Sequence, residues 1–229
     1  MAAIARGGCH IREAFDRLDP AKRRRILDAA MDEFARYGYR NASTNRIAQA
    51  ARIGKGMLFH YFGSKRDLYL CLVDYSIDYV ETEFLARVVP AKEGLVERLQ
   101  RIAKAEIEAI AGNPHVFRFL ATLYLDDTAS LPGDQARRLE EMRREWLAKI
   151  YGDADTSTYR DDVPPQHVHK IIVWCMEGYE RELIDSIDRD AVVSQDWVPY
   201  WEDYDGFLNS LKRILYRQED DTSGDSHNS

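Results

Sequence analysis

Apolar residues in this chain recur at intervals of three and four almost from end to end, and no stretch alternates apolar with polar as a half-buried strand would. That periodicity predicts an all-α protein. No repeat of fixed period is visible, so a solenoid is not expected. Asp19-Pro20 is a helix start, an N-cap acid followed by proline at the first position, and Gly38 is its stop. Between them Ile26, Leu27, Ala30, Met31 and Phe34 form one stripe. Two short helices are expected at about 44–51 and 55–61, then a long one capped by Ser64 that starts near Lys65 and ends near Val88. Its apolar positions include Leu68, Leu72, Tyr75 and Tyr79. Further helices are expected at about 92–111, 114–126, 134–150, 165–188 and 202–217. Gly112-Asn113-Pro114, Pro132-Gly133, the polar run 152–162 with Pro164-Pro165, and a stretch ending at Pro199 separate them. Upstream, Ile11, Phe15 and Leu18 suit a short extra helix, and the tail EDDTSGDSHNS has a disordered composition.

No apolar run approaches the roughly 18 residues of a membrane span, and MAAIARGGCHIREAF lacks the apolar core of a secretion signal, so a cytoplasmic protein is expected. Cys9, Cys71 and Cys175 are odd in number, far apart and without a CxxC pair, which argues against a disulfide framework or a zinc site. Cys71 and Cys175 fall in apolar helical patterns and read as packing residues.

Charge is unevenly spread. Residues 1–75 hold 14 Lys and Arg against 8 Asp and Glu, a balance of +6, which leaves −13 for the rest of a chain whose total is −7. A basic N-terminal third on an acidic body suggests a nucleic-acid-facing end, although a solvated surface of uneven charge would give the same count. Lys22, Arg23, Arg24 and Arg25 crowd a helix start, where positive charge opposes the helix dipole. Phosphate contact would explain them, as would a solvated face.

The segment STNRIAQAARIGKGMLFHYFGSK, residues 43–65, holds Arg46, Arg52, Lys55 and Lys65 and no carboxylate. Two short helices joined by a tight turn behind a longer one make a helix-turn-helix, whose last helix enters the major groove. Ile47, Ala48, Ala51, Ile53, Leu58 and Phe62 then form the small core, and Lys55, Gly56, Met57, Phe59 and His60 lie on the opposite side, where a carboxylate would face phosphates.

From Arg24 to Leu70 the chain resembles the TetR-type transcriptional regulators, in ILDAAMDEFARYGYRNAST, NRIAQAA and IGKGMLFHYFGSKRDLY. The aromatic-rich recognition helix followed by a Ser-Lys helix start carries the likeness. The resemblance implies a helix-turn-helix DNA-binding domain at 20–66 behind an N-terminal arm at 1–19, a helical ligand-binding and dimerisation domain at 67–218, and a disordered acidic tail at 219–229. It implies a ligand-responsive regulator, a repressor by expectation, that binds a palindromic operator as a homodimer and is released by a small-molecule effector.

The DNA-facing positions it implies are Ser43, Thr44, Arg46, Lys55, Gly56, Met57, Phe59, His60, Tyr61 and Lys65. Among these Ser43 would cap its helix; the alternative for Phe59 is simple packing, for His60 an ordinary surface or core-edge place, and for Tyr61 a ring partly in the core. The aromatic residues that could line an effector cavity are Tyr75, Tyr79, Phe117, Tyr124, Trp146 and Trp174. Dimer contacts are expected from Ile172, Met176, Tyr179, Leu183, Phe207, Leu211 and Ile214. Three positions depart from the family pattern. Arg52 stands where glycine is usual and would be strained in a left-handed turn; Gly54 replaces a hydroxyl cap; Met57 replaces a small hydroxyl residue and has no directed hydrogen bond to offer a base.

Other classes find less support. There is no catalytic carboxylate pair, no nucleophile beside a base, no glycine-rich phosphate loop and no metal spacing, since His167 and His169 point to different helix faces. No enzyme activity, cofactor or metal is expected. A helical interaction protein that has lost DNA binding is the remaining alternative.

Overall fold

The computed structural model describes residues 13–89, 91–125, 131–186 and 198–217. The N-terminal residues before Glu13 and the acidic tail lie outside the described residues. The described elements are helices, and the sole extended pairing among the described residues is one isolated antiparallel bridge between Tyr159 and Tyr216. In order they are α1 (Glu13–Asp16), α2 (Pro20–Asn41), α3 (Thr44–Ala50), α4 (Lys55–Phe62), α5 (Lys65–Tyr79), α6 (Leu95–Gly112), α7 (Pro114–Leu125), α8 (Gly133–Tyr151), α9 (Pro165–Ser186) and α10 (Val198–Leu215).

The breakers act as their chemistry requires. Asp19 caps α2, its Oδ1 accepting from the amides of Ala21 and Lys22 at 3.0 and 3.1 Å. Gly38 (φ 66°) interrupts the last turn of α2, and the helical path resumes to Asn41. Ser64 caps α5 by accepting from the Asp67 amide at 3.1 Å and donating to Asp67 Oδ2 at 2.7 Å. Ser43 precedes α3 as expected, but its hydroxyl makes no capping bond. Its amide donates instead to Glu33 Oε1 at 2.7 Å.

Helix α5 continues through one π-helical turn, Val80–Phe84, and a 3-10 turn, Leu85–Arg87, close to the expected end. The Thr82 hydroxyl donates back to the Asp78 carbonyl at 2.8 Å, a bond that competes with regular helix geometry. Helix α10 starts earlier than the pattern suggested, at Val198, and α6 starts later, at Leu95.

One core runs through the molecule, from Phe15 and Ile26 through Leu68, Leu72 and Ile77 to Phe119, Ile172 and Leu208. Cys71 is fully buried in it and Cys175 packs at its margin. Polar groups inside it are tied to specific partners. Arg138 of α8 forks between Asp74 and Asp78 of α5, each at 2.7 Å. Arg98 of α6 donates to the carbonyls of Gly152 (2.9 Å) and Asp153 where α8 ends. The Tyr216 hydroxyl accepts from the Val96 amide and donates to Glu97, both at 3.0 Å, pinning the end of α10 to the start of α6. These links make α5, α6, α8 and α10 a packed body against which the short N-terminal helices rest.

Candidate nucleic-acid interface

Helix α4 splits cleanly into two sides. Leu58, Tyr61 and Phe62 are buried, while Lys55, Gly56, Met57 and His60 are exposed and Phe59 is half-buried. The Lys55 ammonium sits 5.9 Å from the Phe59 ring centre. Gly54 precedes the helix without a side-chain cap, so no side chain of the cap residue occupies the positive end of the α4 dipole.

Tyr61 corrects an expectation. It is 4% exposed, with its ring 5.6 Å from Phe15 of α1, so it supports the helix from behind rather than facing outward. Phe15 also lies 4.8 Å from Phe62, and the short arm helix thereby closes the inner side of α4.

The turn between α3 and α4 has the geometry that glycine would favour. Arg52 has φ 55°, the left-handed region, among a residue's less comfortable conformations. Its amide bonds back to Gln49 at 3.1 Å, and the next amide, Ile53, reaches Ala48 at 3.0 Å, a six-to-one bond that ends the helix. Arg25 of α2 finishes the same corner by donating to the Ala51 carbonyl at 3.0 Å.

Arg46 does not stand free. Its guanidinium meets Glu33 of α2 at 2.5–3.1 Å, donates to the Asn41 carbonyl at 3.1 Å and lies 4.2 Å from the Tyr37 ring centre. Glu33 is only 7% exposed and also holds the Ser43 amide, so one buried carboxylate organises the start of α3. Lys65 likewise donates to the Arg40 carbonyl at 3.1 Å and lies 5.1 Å from the Tyr39 ring centre. Thr44 is half-buried at the first turn of α3.

Glu33, Tyr37 and Tyr39 were missed in the sequence. The tyrosines either side of Gly38, both exposed, were the available signal, because a helix end with two outward rings needs something for them to hold. Of the basic run at the start of α2, Arg24 is paired with Asp28 at 2.9 Å and reaches the Gly112 carbonyl at 3.4 Å.

The expected effector aromatics fall in separate places. Tyr79 and Phe117 meet edge to face at 6.3 Å, and the Tyr79 hydroxyl donates to the Ala109 carbonyl at 3.3 Å. Tyr75 is half-buried near Arg24 and Asp28 of α2, and burial raises its phenol. Trp146 packs instead on Phe84, in the π turn, at 4.8 Å. Trp174 is 58% exposed and carries Lys170 over its ring at 4.4 Å, so it lines no interior space. The Tyr124 side chain lies outside the described residues.

The expected dimer residues also divide. Ile172, Met176 and Leu211 are buried within the subunit. Tyr179 stacks on Phe207 at 5.2 Å and donates to Asp203 at 2.7 Å, joining α9 to α10. Leu183 is half-buried. Ile214 alone of the set stands well out, at 60% exposure. Among the described side chains, the large outward apolar residues of α9 are Ile171 and Trp174, one step round the helix from the positions expected.

A corner of two short helices, backed by α2 and showing basic and aromatic side chains without a carboxylate, defines a helix-turn-helix DNA-binding regulator. Residues 26–72 match the family described as bacterial regulatory proteins, tetR family. The HTH-type transcriptional repressor Rv1474c of Mycobacterium tuberculosis is 31% identical over 180 residues, covering 76% of this chain and 88% of that protein. The HTH-type transcriptional regulator RutR of Escherichia coli O157:H7 is 36% identical over 170 residues, covering 73% and 77%. The fold is shared with a TetR family regulator from Chloroflexus aurantiacus (TM-score 0.57, 22% identity, 91% of this chain and 99% of that one). It is shared also with AibR, solved with isovaleryl coenzyme A and operator DNA (TM-score 0.53, 19% identity, 82% and 97%). The chain belongs to the tetR family of bacterial regulatory proteins and is a transcriptional regulator.

Proposed function

We propose that the protein is a repressor that reads an operator with α4 and is released when a small molecule binds its helical body. The observation that carries this reading is the carboxylate-free outer side of α4, where Lys55, Gly56, Met57 and His60 are exposed while the inner side is held by Phe15. Lys55 and the first amides of α4 meet phosphates; Met57 and His60 reach base edges, with Phe59 supporting them. Lys65 has donors to spare beyond its bond to Arg40 and contacts the backbone, as does Thr44. Arg46, engaged by Glu33, sets the pose of α3 and contributes positive potential rather than a free contact. In this reading the reading head is 20–66 and the body 67–218.

Two copies pair through the outer faces of α9 and α10. Ile171 and Trp174 on the first and Ile214 on the second are the exposed apolar groups there, and burying them on a second copy accounts for their chemistry. A dimer presents two recognition helices to paired half-sites. The head and body communicate through α5, which starts beside α4 and runs into the body, and through the α2–α7 seam. An effector that prefers the body arrangement with the wrong head spacing lowers DNA affinity by that preference.

Lys65→Ala and His60→Ala separate the two kinds of contact in a fluorescence anisotropy assay. Lys65→Ala weakens all DNA sequences alike and flattens the salt dependence; His60→Ala changes the ranking of sequences. If both variants keep wild-type affinity and ranking, the contact assignment is wrong.

A further inference from the structure

The run without a carboxylate is longer than the corner that carries α4. It extends from Phe34 to Arg66 and holds seven Lys and Arg, so it begins inside α2, nine residues before Ser43. The end of α2 exposes Arg36, Tyr37, Tyr39, Arg40 and Asn41 together. The carboxylate that meets this patch, Glu33, is buried and bound to Arg46. A surface rich in cations and clear of acids attracts polyanions.

The two tyrosines beside Gly38 have different surroundings. Tyr39 stacks on Phe34 at 6.3 Å and packs on Tyr69 at 5.0 Å, so the core accounts for its ring. Tyr37 is 40% exposed and meets no other ring among the described residues. What touches it is the Arg46 guanidinium, 4.2 Å from its ring centre. Glu33 and the Asn41 carbonyl hold that guanidinium in place. The Tyr37 hydroxyl makes no hydrogen bond among the described residues. Core packing therefore explains neither the ring nor its hydroxyl.

The position of this phenol is set by its neighbours. Arg46 of α3 donates to the Asn41 carbonyl and Lys65 of α5 to the adjacent Arg40 carbonyl, each at 3.1 Å. Charges from two helices thus converge on the end of α2 that carries Tyr37. Glu33 also accepts from the Ser43 amide at 2.7 Å, which places the same end beside the start of α3 and Thr44.

We propose that Tyr37 is a further DNA contact, its hydroxyl donating to a backbone phosphate at the edge of the site that α4 reads, with Arg46 fixing its ring and Glu33 fixing Arg46. This rests on the reading of α4 as the recognition helix. A strand passing outside the groove offers phosphate and sugar, so the contact positions the protein and carries no base preference. The cations draw the phosphate in, and the phenol supplies a directed donor. A ring already held on a guanidinium loses little further freedom when its hydroxyl is engaged. A ring that only shields the Arg46–Glu33 pair would need no hydroxyl, and that difference can be measured.

Fluorescence anisotropy on duplexes recovered by selection tests this with full-length Tyr37→Phe, which keeps the ring and removes only the hydroxyl. Affinity is expected to fall about five-fold, alike for every sequence, with melting unchanged. The dependence of affinity on salt should keep its wild-type slope, because a neutral donor displaces no counterion, whereas Lys65→Ala flattens it. Neutral methylphosphonate linkages, placed one at a time along a half-site, locate the partner. At one position the wild type should lose affinity and Tyr37→Phe should lose markedly less. Tyr37→Ala should bind more weakly than Tyr37→Phe, because Arg46 also loses its support. Wild-type affinity in Tyr37→Phe overturns the contact, and a loss confined to Tyr37→Ala gives the ring a supporting role only. Equal losses by wild type and Tyr37→Phe at every methylphosphonate position also overturn it. In each of these cases, weakening by Lys65→Ala leaves the reading of α4 standing. Failure of the wild type to bind any duplex overturns both.

Discussion

His115 Nδ1 at the start of α7 lies 2.7 Å from Asp32 Oδ1 of α2, across the seam between the body and the reading head. Asp28 Oδ2 stands 3.9 Å from the other ring nitrogen. The bond to Asp32 is the largest influence on the imidazole and raises it; burial lowers it, Asp28 raises it, and Arg118 lowers it. Asp28 is itself raised, chiefly by burial, with His115 and Arg24 opposing.

A pH dependence follows with a definite sign. The folded imidazole is raised above its unfolded value, so the pair stabilises the seam fully below that unfolded value, about 6.5. The contribution is lost as pH rises through the raised folded value. Both partners touch solvent, so its size is at most about 1 kcal/mol. Thermal melting from pH about 5.5 to 8.5 should show wild type losing stability relative to His115→Gln as pH rises; parallel curves would contradict the assignment.

Glu33 holds three donors from α3 and its approach: Nε and Nη2 of Arg46 and the Ser43 amide. Glu33→Ala should destabilise by about 1–2 kcal/mol, limited by the exposure of Arg46. It should also lower DNA affinity more than that loss of folded fraction explains, because α3 and α4 lose their fixed pose. Chemical denaturation paired with anisotropy separates the two effects.

Arg52→Gly should raise stability by about 0.5–1 kcal/mol. Relief of the left-handed conformation outweighs the added freedom of the unfolded chain. Urea denaturation checks this, and a destabilised variant would mean that the Arg52 side chain holds the turn.

The two faces of α9 predict opposite phenotypes. Trp174→Glu, on the outside, should yield monomers in sedimentation velocity with the subunit still folded. Ile172→Ala, fully buried, should cost about 2–4 kcal/mol of stability. Dimers that survive both Trp174→Glu and Ile214→Glu would rule out this face as the interface.

The helical architecture was legible because each helix carries its own period and breaker. Asp19-Pro20, Gly38 and Ser64 act locally, and so does the strain at Arg52, which a turn position shows without any tertiary information. Where several apolar edges share one helix, the sequence does not say which turns inward. Helix α9 is the example: Ile171 and Ile172 are neighbours of equal hydropathy, and only the assembled fold decides that Ile172 is buried and Ile171 is not. The pairing of Arg46 was hidden for a different reason, since its partner Glu33 is brought to it by the fold. The full burial of Tyr61, expected to be only partly core, was not legible because Phe15, which covers it, belongs to a four-residue helix too short to weigh from its pattern.

The central claim is that α4 reads DNA as one of a pair. Selection from random duplex DNA with the purified full-length protein tests it most directly. The account predicts enrichment of inverted half-sites about one helical turn apart, or a multiple of that, bound with steep salt dependence. Recovery of no sequence above the starting pool would contradict it.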